Sequence, residues 1–330
     1  QQAQIKVLEN PNITVKGDFQ WRDGKKDTSV EFIRNDVNGM WEISWMQMKD
    51  GEHNILIPDG EIIGITKVLQ DIHPEAKIAQ HVKIDPFSTV HANVEIGEGT
   101  WIGSNVTIME GARIGKNCNI FPGTVISAIP QDLKFKGEDT FTYIGDNCTI
   151  RECVTINRGT VDKQHTKIGN NCLIMAYSHI AHDCIVGNNC IFSNNTTLAG
   201  HIEVGDYVIL AGLTAVQQFV RIGSHSFVTG GSLVRKDVPP FVKAAREPLS
   251  YVGVNSVGLK RRGFSLDQIN HILDIYRILF VRGYNVSKAL SIIEAEIPVS
   301  DERDEIITFV RETGRGIMKG YTRRQNEDLS

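Results

Sequence analysis

The spacing of hydrophobic positions changes twice along the chain. Residues 1–62 alternate apolar and polar, as in Val30-Glu31-Phe32-Ile33 and Trp41-Glu42-Ile43-Ser44-Trp45, and are punctuated by Asp23-Gly24, Asn38-Gly39, Asp50-Gly51 and Asp59-Gly60. Alternation broken by Asx-Gly pairs predicts hairpins, hence a small antiparallel β-meander. From Ile72 an aliphatic residue recurs every six positions: Ile72, Ile78, Ile84, Val90, Ile96, Ile102, Ile108, Ile114, Ile120 and Ile126. The register resumes at Ile144, Ile150 and Ile156, and again from Ile168 to Val234. Gly often follows, as in Ile96-Gly97, Ile114-Gly115, Ile144-Gly145 and Ile168-Gly169. Beyond residue 264 the period becomes helical. Ser265 and Gln268 form a capping-box pattern ahead of Ile269, Ile272, Leu273 and Tyr276, and Ser300 opens a second start before Ile306, Ile307 and Val310. The polar end, Arg323–Ser330, reads as a frayed tail.

A period of six fits neither an amphipathic helix nor a simple strand. It fits a parallel β-helix, in which each hexad gives one short strand and one corner, and three hexads close a triangular coil. Stacking coils buries an aliphatic column that no single coil can bury, and Gly suits a tight corner. Coils about 4.8 Å apart give about nine turns and a rod on the order of 40 Å long. The chain thus reads as a meander (1–62), a rod (63–255) and a helical part (256–330). The stretches 127–143 and 161–167 break the hexad and are expected to project as loops, which are common binding sites on rigid scaffolds.

Composition adds constraints. The 330 residues carry a net charge of −4, which argues against a general nucleic-acid binder. No run of eighteen apolar residues predicts a membrane span. The low aromatic content, 7%, suits a rod of Ile, Val and Gly. Cys118, Cys148, Cys172, Cys184 and Cys190 each fall four residues after a hexad aliphatic. That is an inward position, so they read as reduced, buried fillers.

Candidate chemistry gathers at His179, His182 and His201, which fall near one edge of the prism. Three readings stand side by side: surface corner histidines; a three-histidine zinc centre, as in a carbonic-anhydrase-like hydratase of the same fold; and a general base, His182, oriented by Asp183.

Several stretches carry a resemblance. They are Gln131-Asp132-Leu133-Lys134, Ile150 through Thr160, His179-Ile180-Ala181-His182-Asp183-Cys184, Leu198-Ala199-Gly200-His201, Thr214 through Phe219, and Gly258-Leu259-Lys260-Arg261-Arg262-Gly263-Phe264. In these the chain resembles the UDP-N-acetylglucosamine acyltransferase family, hexapeptide-repeat enzymes of bacterial lipid A synthesis. The resemblance implies a left-handed rod, a homotrimer and a cytoplasmic enzyme without cofactor or metal. It implies transfer of a 3-hydroxyacyl chain from acyl carrier protein to the glucosamine 3-hydroxyl of UDP-N-acetylglucosamine. A 3-amino sugar acceptor, giving an amide, is the near alternative. By the same resemblance His182 is the base, Asp183 orients it, and the Gly200 N–H donates to the oxyanion. It further implies that Asp132 holds sugar hydroxyls, that Lys134 suits a phosphate, and that His179, His201 and Gln218 line the sugar and pantetheine cleft. Asn255, Arg261 and Arg262 reach the nucleotide, and Gly212 and Gly230 leave room for an acyl tail. The chain departs from the family pattern at Asn157, Gln217 and Pro248, where His is common, and at Val257, where Glu is common.

Overall fold

The structure is a computed structural model. It describes residues 15–20, 27–34, 41–50, 53–56 and 71–320. Two compact units divide the chain, Gln1–Leu69 and Gln70–Ser330.

In the first unit, strands β1 (Val15–Gln20), β2 (Asp27–Arg34), β3 (Trp41–Asp50) and β4 (His53–Leu56) form one antiparallel sheet in chain order. Val15 pairs with Phe32, Asp27 with Lys49, and Gln47 with Leu56. This is the meander that alternation predicts. The expected turns at Asp23-Gly24, Asn38-Gly39 and Asp59-Gly60 lie outside the described residues, as does the tail Arg323–Ser330.

The second unit is a left-handed parallel β-helix. Strands two to four residues long stack into three parallel sheets of eleven, nine and eight strands, with a short antiparallel and terminal extension on the largest. Coil-to-coil pairing is Thr89↔Thr107 and Thr107↔Val125 where the repeat is unbroken. Across the first insertion Val125 pairs with Thr155, and across the second Thr155 pairs with His179. The hexad aliphatics form the buried column, with Ile102, Ile120, Ile150, Ile174 and Ile180 fully inaccessible. Removing one such side chain to Ala costs about 2–5 kcal/mol in a packed core.

Two details correct the sequence reading, and the free, buried cysteines bear it out and extend it. The glycines after the aliphatics do not make the corners. Gly97, Gly115, Gly145 and Gly169 lack positive φ, and the left-handed corner residues are Asn117, Asn147, Asn171, Tyr177, Asp183, His201 and their counterparts. A Cβ on Gly97 would instead lie 2.6 Å from the backbone of Gly115 in the next coil, so close approach of coils is what requires glycine. The cysteines are more than fillers. Cys148, Cys172 and Cys190 direct S–H groups at the carbonyls of Gly169, Gly187 and Gly205, 3.1–3.2 Å away, where Ser88 and Thr100 serve Gly103 and Gly115 at other levels. Contact with the thiol one coil before lowers each, but contact with the thiol one coil after, together with burial, outweighs it and pushes Cys148 and Cys172 up to about 12, so both stay as thiols. Finally, the stretch 161–167 is not all loop, because His165–Ile168 is a strand paired with Phe141–Ile144.

Helices α1 (Ser256–Arg261), α2 (Leu266–Tyr276), α3 (Val286–Glu296) and α4 (Asp301–Arg311) follow the rod, with a π-helical turn at Arg277–Val281. The capping box at Ser265/Gln268 and the cap at Ser300 form as the sequence predicts. Rod and helices share one apolar core that runs from Ile84 to Met318. None of the helices among the described residues is long and apolar enough to cross a membrane.

The helices meet the rod at a ring stack. His225 lies between Tyr207 and Phe241, with ring centroids 4.8 and 5.6 Å away, and Phe264 packs edge-on. Burial, with the nearby Arg262 guanidinium adding to it, pushes His225 down to about 4. A histidine whose folded pKa is depressed binds fewer protons than the unfolded chain between about pH 6.5 and 4. Stability therefore falls on acidification through that window. Between pH 7 and 4.5 the wild-type melting temperature should drop about 2–5 °C more than that of His225→Phe, which keeps the stack. Equal drops in thermal melts would remove His225 from the account.

Candidate active site

The three sheets meet at three edges. Corners after the nine-stranded sheet carry Asp183, His201 and Phe219; corners after the eight-stranded sheet carry Asn189, Tyr207 and His225; corners after the eleven-stranded sheet carry Tyr177, Asn195 and Leu213. The chemistry gathers at the first edge.

Asp183 is fully buried, at a corner with φ of 59°, a conformation Asp tolerates better than most residues. An isolated carboxylate there would be prohibitively costly. It is instead saturated with donors. Its Oδ1 accepts from the backbone N–H of Thr160 (3.0 Å) and Lys163 (3.2 Å), and its Oδ2 accepts from Thr160 Oγ1–H (2.6 Å). His182 Nδ1 lies 2.8 Å from the same Oδ2. Burial pushes the carboxyl up, but these hydrogen bonds, led by the one from His182, outweigh it and hold Asp183 well below the usual carboxylate range. An ionised Asp183 can only accept, so the proton between them sits on His182 Nδ1. In the neutral ring that tautomer leaves Nε2 with a free lone pair.

The opposite edge of the His182 ring presses on Gly200. A Cβ at Gly200 would lie 2.6 Å from Cε1 and 2.7 Å from Nε2. Here glycine is required by the ring itself. The Gly200 N–H has no protein acceptor among the described residues. The next coil supplies His201, whose ring stands edge-on to His182 (5.0 Å, 89°) and stacks flat on Phe219 (4.5 Å, 10°). Its Nδ1 is 3.0 Å from Asp162 Oδ2 as an ion-pair distance, without hydrogen-bond alignment. His179, on the adjoining strand, shares a hydrogen bond with Thr155 Oγ1 (2.7 Å); burial and the neighbouring His182 lower its pKa.

In front of this cluster lies a cleft of about 280 Å³, whose walls include Asp132, Lys134, Thr160, Asp162, His201 and Phe219. Both insertions contribute to it. Asp132 Oδ1 accepts from the Lys134 N–H (2.9 Å), shaping the first loop. Arg158, whose guanidinium lies 5.5 Å from the Phe135 ring, braces that loop.

Of the residues singled out from sequence, one chain brings together His182, Asp183, Gly200, His201, Asp132 and Lys134 at this edge. Gln218 is exposed on the coil beside Phe219, and His179 is half-buried on the adjoining face. The others lie elsewhere on the rod. Asn255 binds the carbonyl of His225 (2.8 Å) and Arg262 stacks over Tyr207 (5.2 Å), both at the second edge. Arg261 is exposed at the end of α1. Gly212 and Gly230 stack in one column at the third edge, where a Cβ on Gly230 would come 3.0 Å from Gly212 O. Sequence reasoning missed Thr160, Asp162 and Phe219. Thr160 closes a stretch that carries the family resemblance, and Asp162 sits in a recognised insertion, so both were within reach.

The zinc alternative meets a different geometry from the one it requires. Among the described residues, the side chains whose ligand atoms converge within 4.8 Å are His182, Asp183 and His201, and His179 is not one of them. Asp183 already holds its donors, and His182 turns Nδ1 toward it. A cation at Oδ2 would have to displace that contact.

Family models match three stretches of the chain. Residues 93–128 and 165–200 match the bacterial transferase hexapeptide repeat, and 237–318 match domain 2 of UDP N-acetylglucosamine O-acyltransferase. A curated relative from Sulfurihydrogenibium sp. (strain YO3AOP1), an acyl-[acyl-carrier-protein]–UDP-N-acetylglucosamine O-acyltransferase, is 56% identical over 262 residues, 77% of this chain and 97% of that protein. The chain belongs to the UDP-N-acetylglucosamine O-acyltransferase family. Solved structures of the family agree in fold. The acyltransferase from Bacteroides fragilis superposes with a TM-score of 0.75 at 49% identity, covering 76% of this chain and 98% of that one. The Acinetobacter baumannii structure gives 0.74 at 40% identity, again covering 76% and 98%.

The Gly200 contact yields a direct test. Gly200→Ala drives a methyl into the His182 ring and should lower kcat about 100-fold, since displacements near 1 Å at a reacting group cost that much. Steady-state kinetics beside a thermal melt checks it, and an Ala variant with wild-type kcat would show that His182 does not need its present position.

Proposed function

We propose that this chain transfers a 3-hydroxyacyl group from acyl carrier protein to the glucosamine 3-hydroxyl of UDP-N-acetylglucosamine, opening lipid A synthesis in the cytoplasm. The observation that carries the reading is the buried His182–Asp183 pair beside a cleft with Asp132 and Lys134 on its wall.

A sugar hydroxyl is a weak nucleophile at neutral pH and needs a base. His182 Nε2 takes the proton as the 3-hydroxyl oxygen attacks the thioester carbonyl, and Asp183 stabilises the imidazolium that results. The tetrahedral oxyanion accepts from the Gly200 N–H. When the intermediate collapses, the C–S bond breaks and His182 returns its proton to the departing pantetheine thiolate. The thioester brings its own activation, so the transfer calls for no cofactor. Asp132 is suited to sugar hydroxyls and Lys134 to a phosphate. The exposed Lys260 and Arg261 suit an acidic carrier protein or a diphosphate.

The division of candidate residues among three edges supports a homotrimer. On one rod Asn255 and Arg262 sit at a different edge from His182, and a three-fold assembly sets one edge against another. The first and third edges also expose apolar side chains, Phe219 at 53%, Tyr177 at 63% and Leu213 at 66%, which a neighbouring rod would cover.

Incubation with UDP-N-acetylglucosamine and a ladder of acyl carrier protein thioesters should give a UDP-sugar heavier by one 3-hydroxyacyl group. His182→Ala should lower turnover by about 10³-fold or more. Its melting temperature should also fall somewhat, because Asp183 loses a donor. Near-wild-type turnover in that variant, or product formed from a 3-amino sugar alone, would overturn the assignment.

A further inference from the structure

The dyad depends on a residue that no motif assigns a role. Thr160 is buried in the turn of the second insertion, and two of its groups close on Asp183: its N–H on Oδ1 at 3.0 Å and its hydroxyl on Oδ2 at 2.6 Å. Oδ2 is also the atom that faces His182 Nδ1. The hydroxyl is itself fixed, since it accepts from the Asp162 N–H (3.3 Å) and can therefore turn its hydrogen to the carboxylate. The turn is closed by Gln164 N–H on Thr160 O (2.8 Å), and Lys163 N–H adds a donor to Oδ1. From below, Thr166 Oγ1 accepts from the Asp183 N–H (2.9 Å).

We infer that Thr160 is a positioning residue for this reaction, whose hydroxyl shares Asp183 Oδ2 with His182 and thereby sets both the orientation and the basicity of the base. The inference rests on the acyl-transfer reading for its kinetic consequence. A hydroxyl donated to Oδ2 draws negative charge away from the His182 side. Removing it leaves more of that charge on Oδ2, which faces the imidazolium, so His182 holds its proton more tightly. Only the unprotonated base is active, and the acid limb of the rate profile must then move to higher pH. The other titratable or charged groups around the pair are His201 edge-on from the next coil, His179 from its own face, Asp162 and Lys163 from the turn, and Cys184 next along the chain. Of these, only Asp162 bonds the Thr160 hydroxyl, through its backbone N–H.

The test compares wild type, Thr160→Val and Thr160→Ser in kcat and KM across pH 5–9. Thr160→Val should lose about 10–100-fold in kcat, as orienting partners of reactive groups typically do. Its KM for the UDP-sugar should stay within about two-fold. Its acid limb should rise by about half to one pH unit. Thr160→Ser should restore both kcat and the limb. If the Val variant fails to fold, Thr160→Ala removes the same hydroxyl with less bulk and carries the same expectations. An unshifted limb in a folded, hydroxyl-free variant overturns the inference, as does equal impairment of the Ser variant. Wild-type enzyme without acyl transfer would instead defeat the functional reading. In that case an NMR titration of the His182 ring in wild type and the Val variant still decides the point: an upward shift supports it and no shift overturns it.

Discussion

A buried anion sets the terms for the functional end of this molecule. Asp183 has no access to water, and a carboxylate in that position persists only when nearly every lone pair has a donor. The donors come from different parts of the chain. The second insertion brings Thr160 and Lys163 from the coil below, and His182 is the residue just before Asp183 in the chain. Asp183 can be satisfied only when these coils are stacked in one register. The same stacking presses Gly200 against the far edge of the His182 ring and brings His201 across it. Charge burial, ring orientation and cleft shape are therefore consequences of one coil-to-coil alignment. Slip between coils would leave a buried charge unpaired, a penalty that favours the aligned structure.

The rod makes such alignment possible because its coils differ little from one another. Each inward aliphatic sits on the one a coil away, most corners take the left-handed conformation, and small S–H or O–H donors close the carbonyls of the glycines that follow the aliphatics. A scaffold of this kind is stiff, and its insertions can vary without disturbing the column. Both insertions lie where the cleft is built. The helical part continues the same core, docking through the ring stack at His225, away from the His182 edge.

The legibility of the sequence follows from the same geometry. The six-residue period exposed the rod because solenoid contacts are local and repeat along the chain. The pair His182-Asp183 was legible because its members are adjacent in sequence, and Gly200 and His201 because they lie almost one coil later. Thr160, Asp162 and Phe219 were not singled out. Phe219 reaches the site by stacking one coil beyond His201, and Thr160 and Asp162 reach it across an insertion whose length in strand and turn the period does not state. His165–Ile168 illustrates this, since it rejoins the sheet where a loop is expected. The glycines after each Ile suggest corners by their usual conformational use, yet they serve the approach of neighbouring coils. Asn255, Arg261 and Arg262 could be named from a motif, but a linear motif does not say which edge of a prism it decorates.

The central claim is that an ionised Asp183 holds His182 in the tautomer that leaves Nε2 free to act as base. The most direct measurement is kcat for acyl transfer by Asp183→Asn, with UDP-sugar binding measured alongside. An Asn amide in this donor-rich pocket no longer enforces a proton on Nδ1, and kcat should fall by about 10³–10⁴-fold while the UDP-sugar still binds. An Asn variant within a few-fold of wild type would contradict the account.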